Sequence, residues 1–301
     1  MTTPRKPYST LLQQAKKNVP GFASAYAKFH ERVTIDQNSK SMIVNYSRSL
    51  AAIALHFNRP PQEVSVDEIN SYLYRMTVHE KQSRSYFKQA VYGLRHWFRL
   101  FGMKDKAIQM PSIKKDGTLP TVLSREECRL IFKAPRSMKH RFMLAFAYAA
   151  GLRMNELRLM RISDVDIDRR QVHVRLGKGR KDRYVILSEF LANKLPQYLI
   201  EVKPKTYLFE GQTPAQPMGE RSIQFVIAEA LKRTEIKKEV SMHTLRHSFA
   251  THLLEDGVDI YSIQRLLGHS DIRTTIVYLH VAEVKPRMAH SPLDTLYGIK
   301  H

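Results

Sequence analysis

Apolar residues in the first third of the chain recur at the three- and four-residue intervals that are typical of helices packed on one face. The clearest series runs over residues 43–57 and ends at the turn sequence Asn-Arg-Pro-Pro. This spacing predicts a small helical domain over residues 21–110, because helices bury one apolar face against their neighbours. The residues before it, 1–20, are basic and read as a loose lead-in. The three predicted helices cover about residues 43–57, 66–76 and 83–101.

Periodicity is lost between residues 111 and 122, where Pro, Lys and Gly predominate, and this composition is typical of a linker. Helix signals then resume, since Ser124 and Glu127 have the spacing of a capping box. The stretch 142–150 is apolar nearly all round and is followed by Gly151, which predicts a buried helix with a glycine at its end. A second domain therefore begins at about residue 123.

Apolar and polar residues alternate in the middle of this second domain, as they do in half-buried strands. Three short strands are predicted, at about residues 165–167, 172–176 and 183–187. The last two flank a Gly-Lys-Gly hairpin turn. After Ser188 the pattern is helical, apart from residues 203–219. The expected fold is mainly α with a small antiparallel β-sheet. The second domain extends to residue 281, and a tail over 282–301 contains a short capped helix at 291–298.

The charge balance points to a polyanionic partner. The chain of 301 residues has 49 Lys and Arg against 28 Asp and Glu, a net charge of +21. Residues 1–110 contribute +10 and the remainder +11, so both domains can face nucleic-acid phosphates. The single cysteine, Cys128, excludes an intramolecular disulfide. With no secretory signal or membrane-length apolar run, a cytoplasmic protein is expected, associated with the bacterial nucleoid.

Four segments of the second domain carry candidate chemistry. Arg153 follows a glycine at a helix junction, where its forked donors suit a phosphate; a salt bridge with Glu156 is the structural alternative. Lys178 lies at the hairpin tip, where it can protonate a leaving oxygen or simply be a charged turn residue. Tyr278, which follows His269, lies near the far end of a short helix. Buried tyrosines are usually core residues, but this one follows several cationic candidates.

The fourth segment places His243, Arg246 and His247 on one helix face near its N-terminus, a position that favours anions. The two histidines also have the spacing of a zinc pair. Thr244 stands where a zinc protease has glutamate, no third ligand is apparent, and Arg246 would repel a cation, so neither a metal nor another cofactor is expected. The set instead favours phosphate chemistry, in which arginines stabilise the five-coordinate phosphorus and a tyrosine attacks it.

Together these segments resemble the tyrosine recombinase (phage integrase) family. The family motifs stand in this sequence as GLR-x-x-EL, GKG-x-K-x-R, H-x-LRH-x-FATHLL and LGH-x-x-x-x-TT-x-x-Y. The resemblance implies that residues 123–281 form a catalytic domain, which clamps DNA together with the helical N-terminal core-binding domain. It also implies a 3′-phosphotyrosyl intermediate. The implied catalytic residues are Arg153, Lys178, His243, Arg246, His269 and the nucleophile Tyr278.

The resemblance leaves the biological role open. A site-specific recombinase of a mobile element is slightly favoured over a Xer-type resolver of chromosome dimers. A type IB topoisomerase and a non-catalytic DNA-binding protein are the remaining alternatives. The implied partner is double-stranded DNA with a specific recombination site, bound by a homotetramer across two sites, and the family allows for a second recombinase or an accessory protein. The tail helix is expected to dock either on a neighbouring protomer or on its own.

Overall fold

The computed structural model describes residues 10–78, 82–111, 119–175 and 182–282. The chain divides into two compact units, residues 1–116 and 117–301. Each unit has its own hydrophobic core. Within the described residues the fold is mainly α with one small antiparallel sheet, as the sequence predicts. None of the described helices has an apolar stretch of the length that a membrane crossing needs.

The first unit is a helical bundle around Trp97. Its indole stacks on the ring of Phe22, with ring centroids 5.9 Å apart, and packs against Phe29 at 5.3 Å. The indole N–H donates to Oε1 of Gln62, so this large buried ring has no unsatisfied donor. The described helices of this unit are α1 (Leu11–Asn18), α2 (Phe22–Ile35), α3 (Lys40–Phe57), α4 (Val66–Val78), α5 (Arg84–Leu100) and α6 (Lys104–Gln109), with a 3-10 turn at Pro61–Glu63.

Helix α1 corrects the prediction of a loose lead-in over residues 1–20. Residues 11–18 are helical, and Ala15 is fully buried where α1 packs on α3. A capping box starts the helix: the amide of Gln13 donates to the Thr10 hydroxyl, and the side chain of Gln13 accepts from the Thr10 amide. Lys16 lies 4.5 Å from the centre of the Tyr26 ring, so its charge stays near the surface while its stem covers the bundle.

The second unit surrounds the apolar helix α8, whose side chains Met143, Leu144 and Phe146 are fully buried. The predicted capping box of Ser124 and Glu127 starts α7. The described helices of this unit are α7 (Arg125–Lys133), α8 (Met138–Ala149), α9 (Met154–Arg158), α10 (Glu189–Val202), α11 (Glu220–Lys232), α12 (Met242–Glu255), α13 (Ile260–Leu267) and α14 (Arg273–Ile276). Two 3-10 turns, Ile162–Asp164 and Val277–His280, complete the helical content of the described residues.

The sheet has the strand order β1-β2-β3, with β1 (Val165–Asp166), β2 (Gln171–Val174) and β3 (Arg183–Ile186). Both pairings are antiparallel, and Val172 lies opposite Val165 on one side and Val185 on the other. Val172, Val174 and Val185 face the core, which explains the alternation in the sequence. The hairpin tip that contains Lys178 and the tail helix at 291–298 lie outside the described residues.

Candidate active site

The turn between α8 and α9 places Arg153 at the edge of the core. Gly151 has a positive φ of +57°, which lets the chain reverse after α8. A Cβ at this position would lie 2.5 Å from Cδ1 of Phe249, so glycine is also needed for close packing. Arg153 is then the N-cap residue of α9, and its guanidinium is mostly buried. The predicted junction position of Arg153 is therefore where the structure has it.

Glu156 lies at the centre of a cluster of arginines. It accepts two hydrogen bonds from Arg153, one from the backbone amide and one from Nη1, and two from the guanidinium of Arg183. Nη1 of Arg246 is a further 3.7 Å away. Burial would raise the pKa of the Glu156 carboxyl, but the hydrogen bonds and charge of Arg183, with the bonds from Arg153, lower it to about 2. The carboxylate is therefore ionised at neutral pH.

Arg246 is held inside the unit by backbone carbonyls. Only 3% of the residue is exposed, and its Nη1 donates to the carbonyl of Gly151 at 2.7 Å. Its Nη2 donates to the carbonyl of Leu267 at 2.6 Å. Burial, followed by the charge of Arg153, lowers the pKa of Arg246 to about 9, so the side chain still carries its proton at pH 7. The guanidinium is thus fixed before any substrate arrives.

At the end of helix α13, three successive backbone carbonyls each accept a hydrogen bond from a different arginine. Arg183 donates to Leu266, Arg246 to Leu267 and Arg153 to Gly268. The last carbonyls of a helix lack partners within the helix and carry partial negative charge, so they are natural acceptors for cations. These contacts bring together three arginines that are far apart in the sequence.

Tyr278 lies in the 3-10 turn that follows α14, and only 1% of it is exposed. Its hydroxyl is 3.0 Å from Nδ1 of His247. The His269 ring lies nearly parallel to the Tyr278 ring with centroids 6.5 Å apart, and its Nδ1 is 2.9 Å from the Thr275 hydroxyl. Burial raises the pKa of Tyr278, while the positive charges of Arg246 and Arg153 act in the opposite direction.

The two histidines of α12 have different surroundings. His243 is on the exposed side of the helix start, where loss of hydration and the charges of Arg246 and Arg153 lower its pKa. His247 is half-buried one turn later, with its ring centroid 6.4 Å from that of His243. Burial lowers the pKa of His247 to about 4, with a further contribution from His243, so the ring is neutral at pH 7. The charges and burial around both rings therefore favour their neutral forms.

The structure thus brings five of the six predicted site residues into one region, formed by the α8–α9 turn, α12, the end of α13 and the turn after α14. The sixth, Lys178, lies outside the described residues. Among the described residues, no group of three or more His, Cys, Asp or Glu side chains is placed to hold a metal ion.

Three contributors were not among the predicted site residues: Glu156, Arg183 and His247. All three stand within the motif segments GLR-x-x-EL, GKG-x-K-x-R and LRH, so their positions were visible in the sequence. From the sequence, Glu156 is considered only as a salt-bridge partner in the structural alternative for Arg153. In the structure Arg153 makes this salt bridge while 20% of its side chain stays accessible.

Chemically, the arrangement is suited to a phosphate diester. Fixed guanidinium groups can bind non-bridging oxygens, and a tyrosine hydroxyl beside them is a nucleophile of the type that forms a covalent phosphoester. The neutral His247 ring next to the hydroxyl can accept a hydrogen bond or a proton at neutral pH. The described side chains thus include candidates for phosphate binding, for nucleophilic attack and for proton transfer. The acid that protonates the leaving oxygen is not among them.

Comparison with known proteins gives concordant matches. Residues 121–285 match the model of the phage integrase family. The chain is 34% identical over 272 residues to integrase/recombinase y4qK of Sinorhizobium fredii, covering 88% of each protein. It is 30% identical to the tyrosine recombinase XerC of Bacillus licheniformis, over 91% of this chain and 97% of that protein. A lambda integrase tetramer bound to a Holliday junction has the same fold, with a TM-score of 0.71 at 17% identity over 93% of this chain and 83% of that one.

Proposed function

Because the chain belongs to the phage integrase family and is a site-specific tyrosine recombinase, we propose that Tyr278 is its nucleophile. The observation that carries this assignment is the environment of the Tyr278 hydroxyl, which is hydrogen-bonded to His247 and lies within the electrostatic reach of Arg246 and Arg153. A tyrosine that served only the core would not need two arginine charges beside it. The hydroxyl oxygen attacks phosphorus and gives up its proton, while the bond from phosphorus to the 5′-oxygen breaks. The products are a 3′-phosphotyrosyl bond and a 5′-hydroxyl.

The remaining roles follow from position and charge. Arg153 and Arg246 bind the non-bridging oxygens of the scissile phosphate, and their protein contacts hold them in place for it. His243 and His269 assist proton transfer and contact the phosphate. Lys178 protonates the departing sugar oxygen. The phosphotyrosyl bond retains the energy of the broken diester, so rejoining reverses the same steps and needs neither nucleotide hydrolysis nor a cofactor.

The proposed substrate is double-stranded DNA with a specific recombination site. We propose that the two units clamp the duplex and that four copies assemble across two sites, with the tail over residues 282–301 joining neighbouring protomers. A tetramer of lambda integrase on a Holliday junction supports this assembly. The charge of +21, shared between both domains, supports extensive phosphate contact. Because its proposed substrate is the DNA of the cell, we propose that the enzyme works in the cytoplasm, at the nucleoid.

For the biological role, we propose a recombinase of a mobile element. The relative y4qK, which matches over 88% of each protein, is named an integrase/recombinase, and integration is the reaction by which a mobile element enters a chromosome. A Xer-type resolver is the second candidate, because the match to XerC extends over 97% of that relative. Recombination between two copies of the DNA ends that flank the gene would favour the first role, and recombination at a chromosomal dimer-resolution site would favour the second.

The test of the catalytic proposal is covalent capture on a nicked suicide substrate. The wild type and Tyr278→Phe are each incubated with DNA that carries candidate sites from the region flanking the gene, and the products are separated on a denaturing gel. A protein–DNA adduct that forms only with the wild type is the expected result. If both proteins bind the DNA and Tyr278→Phe forms the adduct as well, Tyr278 is not the nucleophile. If both bind and neither reacts, the DNA-binding alternative moves forward.

A further inference from the structure

The hydroxyl of Tyr278 has a specific partner in Nδ1 of His247, at 3.0 Å. The two rings are also in contact, with centroids 5.7 Å apart and planes inclined by 52°. Because the Tyr278 phenol is buried and protonated, its O–H has to donate to a nearby acceptor. We therefore assign the ring proton of neutral His247 to Nε2, which leaves the lone pair of Nδ1 facing the hydroxyl.

The backbone beneath His247 is anchored on both sides. Helix α12 begins with a capping box at Ser241, which fixes its first turn. The residue before His247 is Arg246, whose guanidinium bonds to the carbonyls of Gly151 and Leu267 hold the same turn of α12 against its neighbours. His247 is thus carried on a rigid support, as a group that has to set the position of another atom should be.

A phenol that attacks phosphorus needs its oxygen at a defined distance and direction, and small displacements are costly. The Tyr278 ring is held by its burial, but the 3-10 turn that carries it is only four residues long. A hydrogen bond to the hydroxyl restricts the remaining freedom of the ring and of the C–O–H torsion. It also directs the phenolic proton toward His247, so a lone pair of the oxygen is left for the phosphorus.

We propose that His247 is a positioning residue for the nucleophile: it accepts the hydrogen bond of the Tyr278 hydroxyl and holds the oxygen in the place from which it attacks. This proposal rests on the proposed role of Tyr278. His247 acts as a neutral acceptor of this hydrogen bond. As the oxygen bonds to phosphorus, the phenolic proton leaves by way of His243 or His269, the proposed proton-transfer groups. The 5′-oxygen takes up a proton from Lys178, so His247 gains no charge. The titratable and charged groups that face it are His243 and Arg246 on its own helix, and both favour the neutral ring. The phenol of Tyr278 faces it from the turn after α14.

Two substitutions separate this role from alternatives. His247→Asn retains an acceptor oxygen near the place of Nδ1, whereas His247→Leu fills similar space with no acceptor. The measurement is the single-turnover rate of adduct formation on the nicked substrate, with protein in excess over DNA. We expect His247→Leu to slow adduct formation by roughly 10- to 100-fold, since a misplacement of about 1 Å can have an effect of that size. We expect His247→Asn to stay within about fivefold of the wild type.

Control measurements keep the result interpretable. DNA affinity of both variants is measured by gel shift and is expected to match the wild type, because His247 contacts the nucleophile and not the duplex in this proposal. Should His247→Leu fail to fold, His247→Gln takes its place. Its amide reaches toward the Nε2 position, so it is expected to react more slowly than His247→Asn.

The outcomes that would overturn the proposal are specific. If His247→Leu forms the adduct at the wild-type rate, the hydrogen bond is dispensable. An Asn variant as slow as the Leu variant, with a rate that rises with pH while the wild-type rate does not, would show that the ring takes the proton as a base. Failure of the proposed function looks different, since Tyr278→Phe would then still form the adduct whatever residue stands at position 247.

Discussion

Arg183 and Glu156 form a two-pronged ion pair, in which Nη1 and Nη2 of the arginine donate to Oε1 and Oε2 of the carboxylate at 2.9 and 2.8 Å. The pair joins strand β3 to helix α9 inside the second unit, and both side chains are at least nine-tenths buried. Because Glu156 also holds Arg153, this ion pair fixes one of the two proposed phosphate-binding arginines. Folding stability and site geometry therefore depend on the same carboxylate.

Glu156→Gln is expected to lower the free energy of unfolding by about 3 kcal/mol, because removing one partner of a buried pair leaves the other charge uncompensated. Urea denaturation at pH 7 measures this. The matched control is Glu126→Gln, which breaks an ion pair with Arg129 in which both side chains are 67% exposed. The control should change stability by less than about 0.5 kcal/mol. Equal effects of the two substitutions would contradict the assignment of Glu156 to a buried network.

The same carboxylate predicts a pH dependence. The pKa of Glu156 is lowered from 4.5 to about 2 in the folded protein, so the unfolded chain takes up the proton first as pH falls. The Glu156 carboxylate makes its full contribution to the free energy of unfolding above about pH 4.5. This contribution is lost as pH falls toward about 2, at about 1.4 kcal/mol per pH unit. The stability difference between the wild type and Glu156→Gln should therefore shrink between pH 5 and pH 3. A difference that is constant over this range would exclude the linkage.

Gly151→Ala should destabilise the second unit and impair DNA cleavage. An alanine here would have to adopt a left-handed backbone, and its Cβ would lie 2.5 Å from the Phe249 ring. The carbonyl of the same residue accepts a hydrogen bond from Arg246. We expect a loss of about 3 kcal/mol in urea denaturation. Gly257→Ala is the control, since Gly257 has a φ of +88° but no atom within 4 Å of the added Cβ. Its cost should be the backbone term alone, about 1 kcal/mol.

Cys128 should be inert in the folded protein. The residue is 2% exposed, and burial, together with the charge of Glu127, raises the pKa of its thiol to about 12. Because only the thiolate reacts, the reactive fraction at pH 8 falls by about three orders of magnitude, and burial also blocks access. Iodoacetamide labelling followed by mass spectrometry should find Cys128 unmodified in buffer and modified in 8 M urea. Rapid labelling of the native protein would show that α7 opens readily.

Local signals in the sequence were enough for most of the second unit. The buried helix before Gly151, the capping box at Ser124 and the three strands all appear where the pattern predicts them. Each depends on spacing between near neighbours, which a sequence displays directly. The end of α13 at Gly268 follows the same logic, since glycine there adopts the left-handed conformation that closes a helix.

Features that depend on distant contacts were harder to predict. Helix α1 is basic along its exposed side and has few apolar residues, so its burial of Ala15 against α3 is a tertiary event. The spacing of Thr10 and Gln13 was a readable signal for its start. The helix expected to carry Tyr278 is also shorter than predicted, because α14 ends at Ile276 and gives way to a 3-10 turn. The convergence of Arg183 on Glu156 likewise depends on how β3 packs beside α9.

The backbone carbonyls at the end of α13 also affect the electrostatic field that the arginine cluster produces away from the protein surface. A carboxylate beside each arginine would cancel its charge, whereas a carbonyl is a dipole whose field fades quickly with separation. Three arginines share one carboxylate here, so the cluster presents a net excess of two positive charges beyond a few ångströms. Held by dipoles, these arginines can still attract a phosphate backbone from solution and speed its capture, an effect that added salt would weaken.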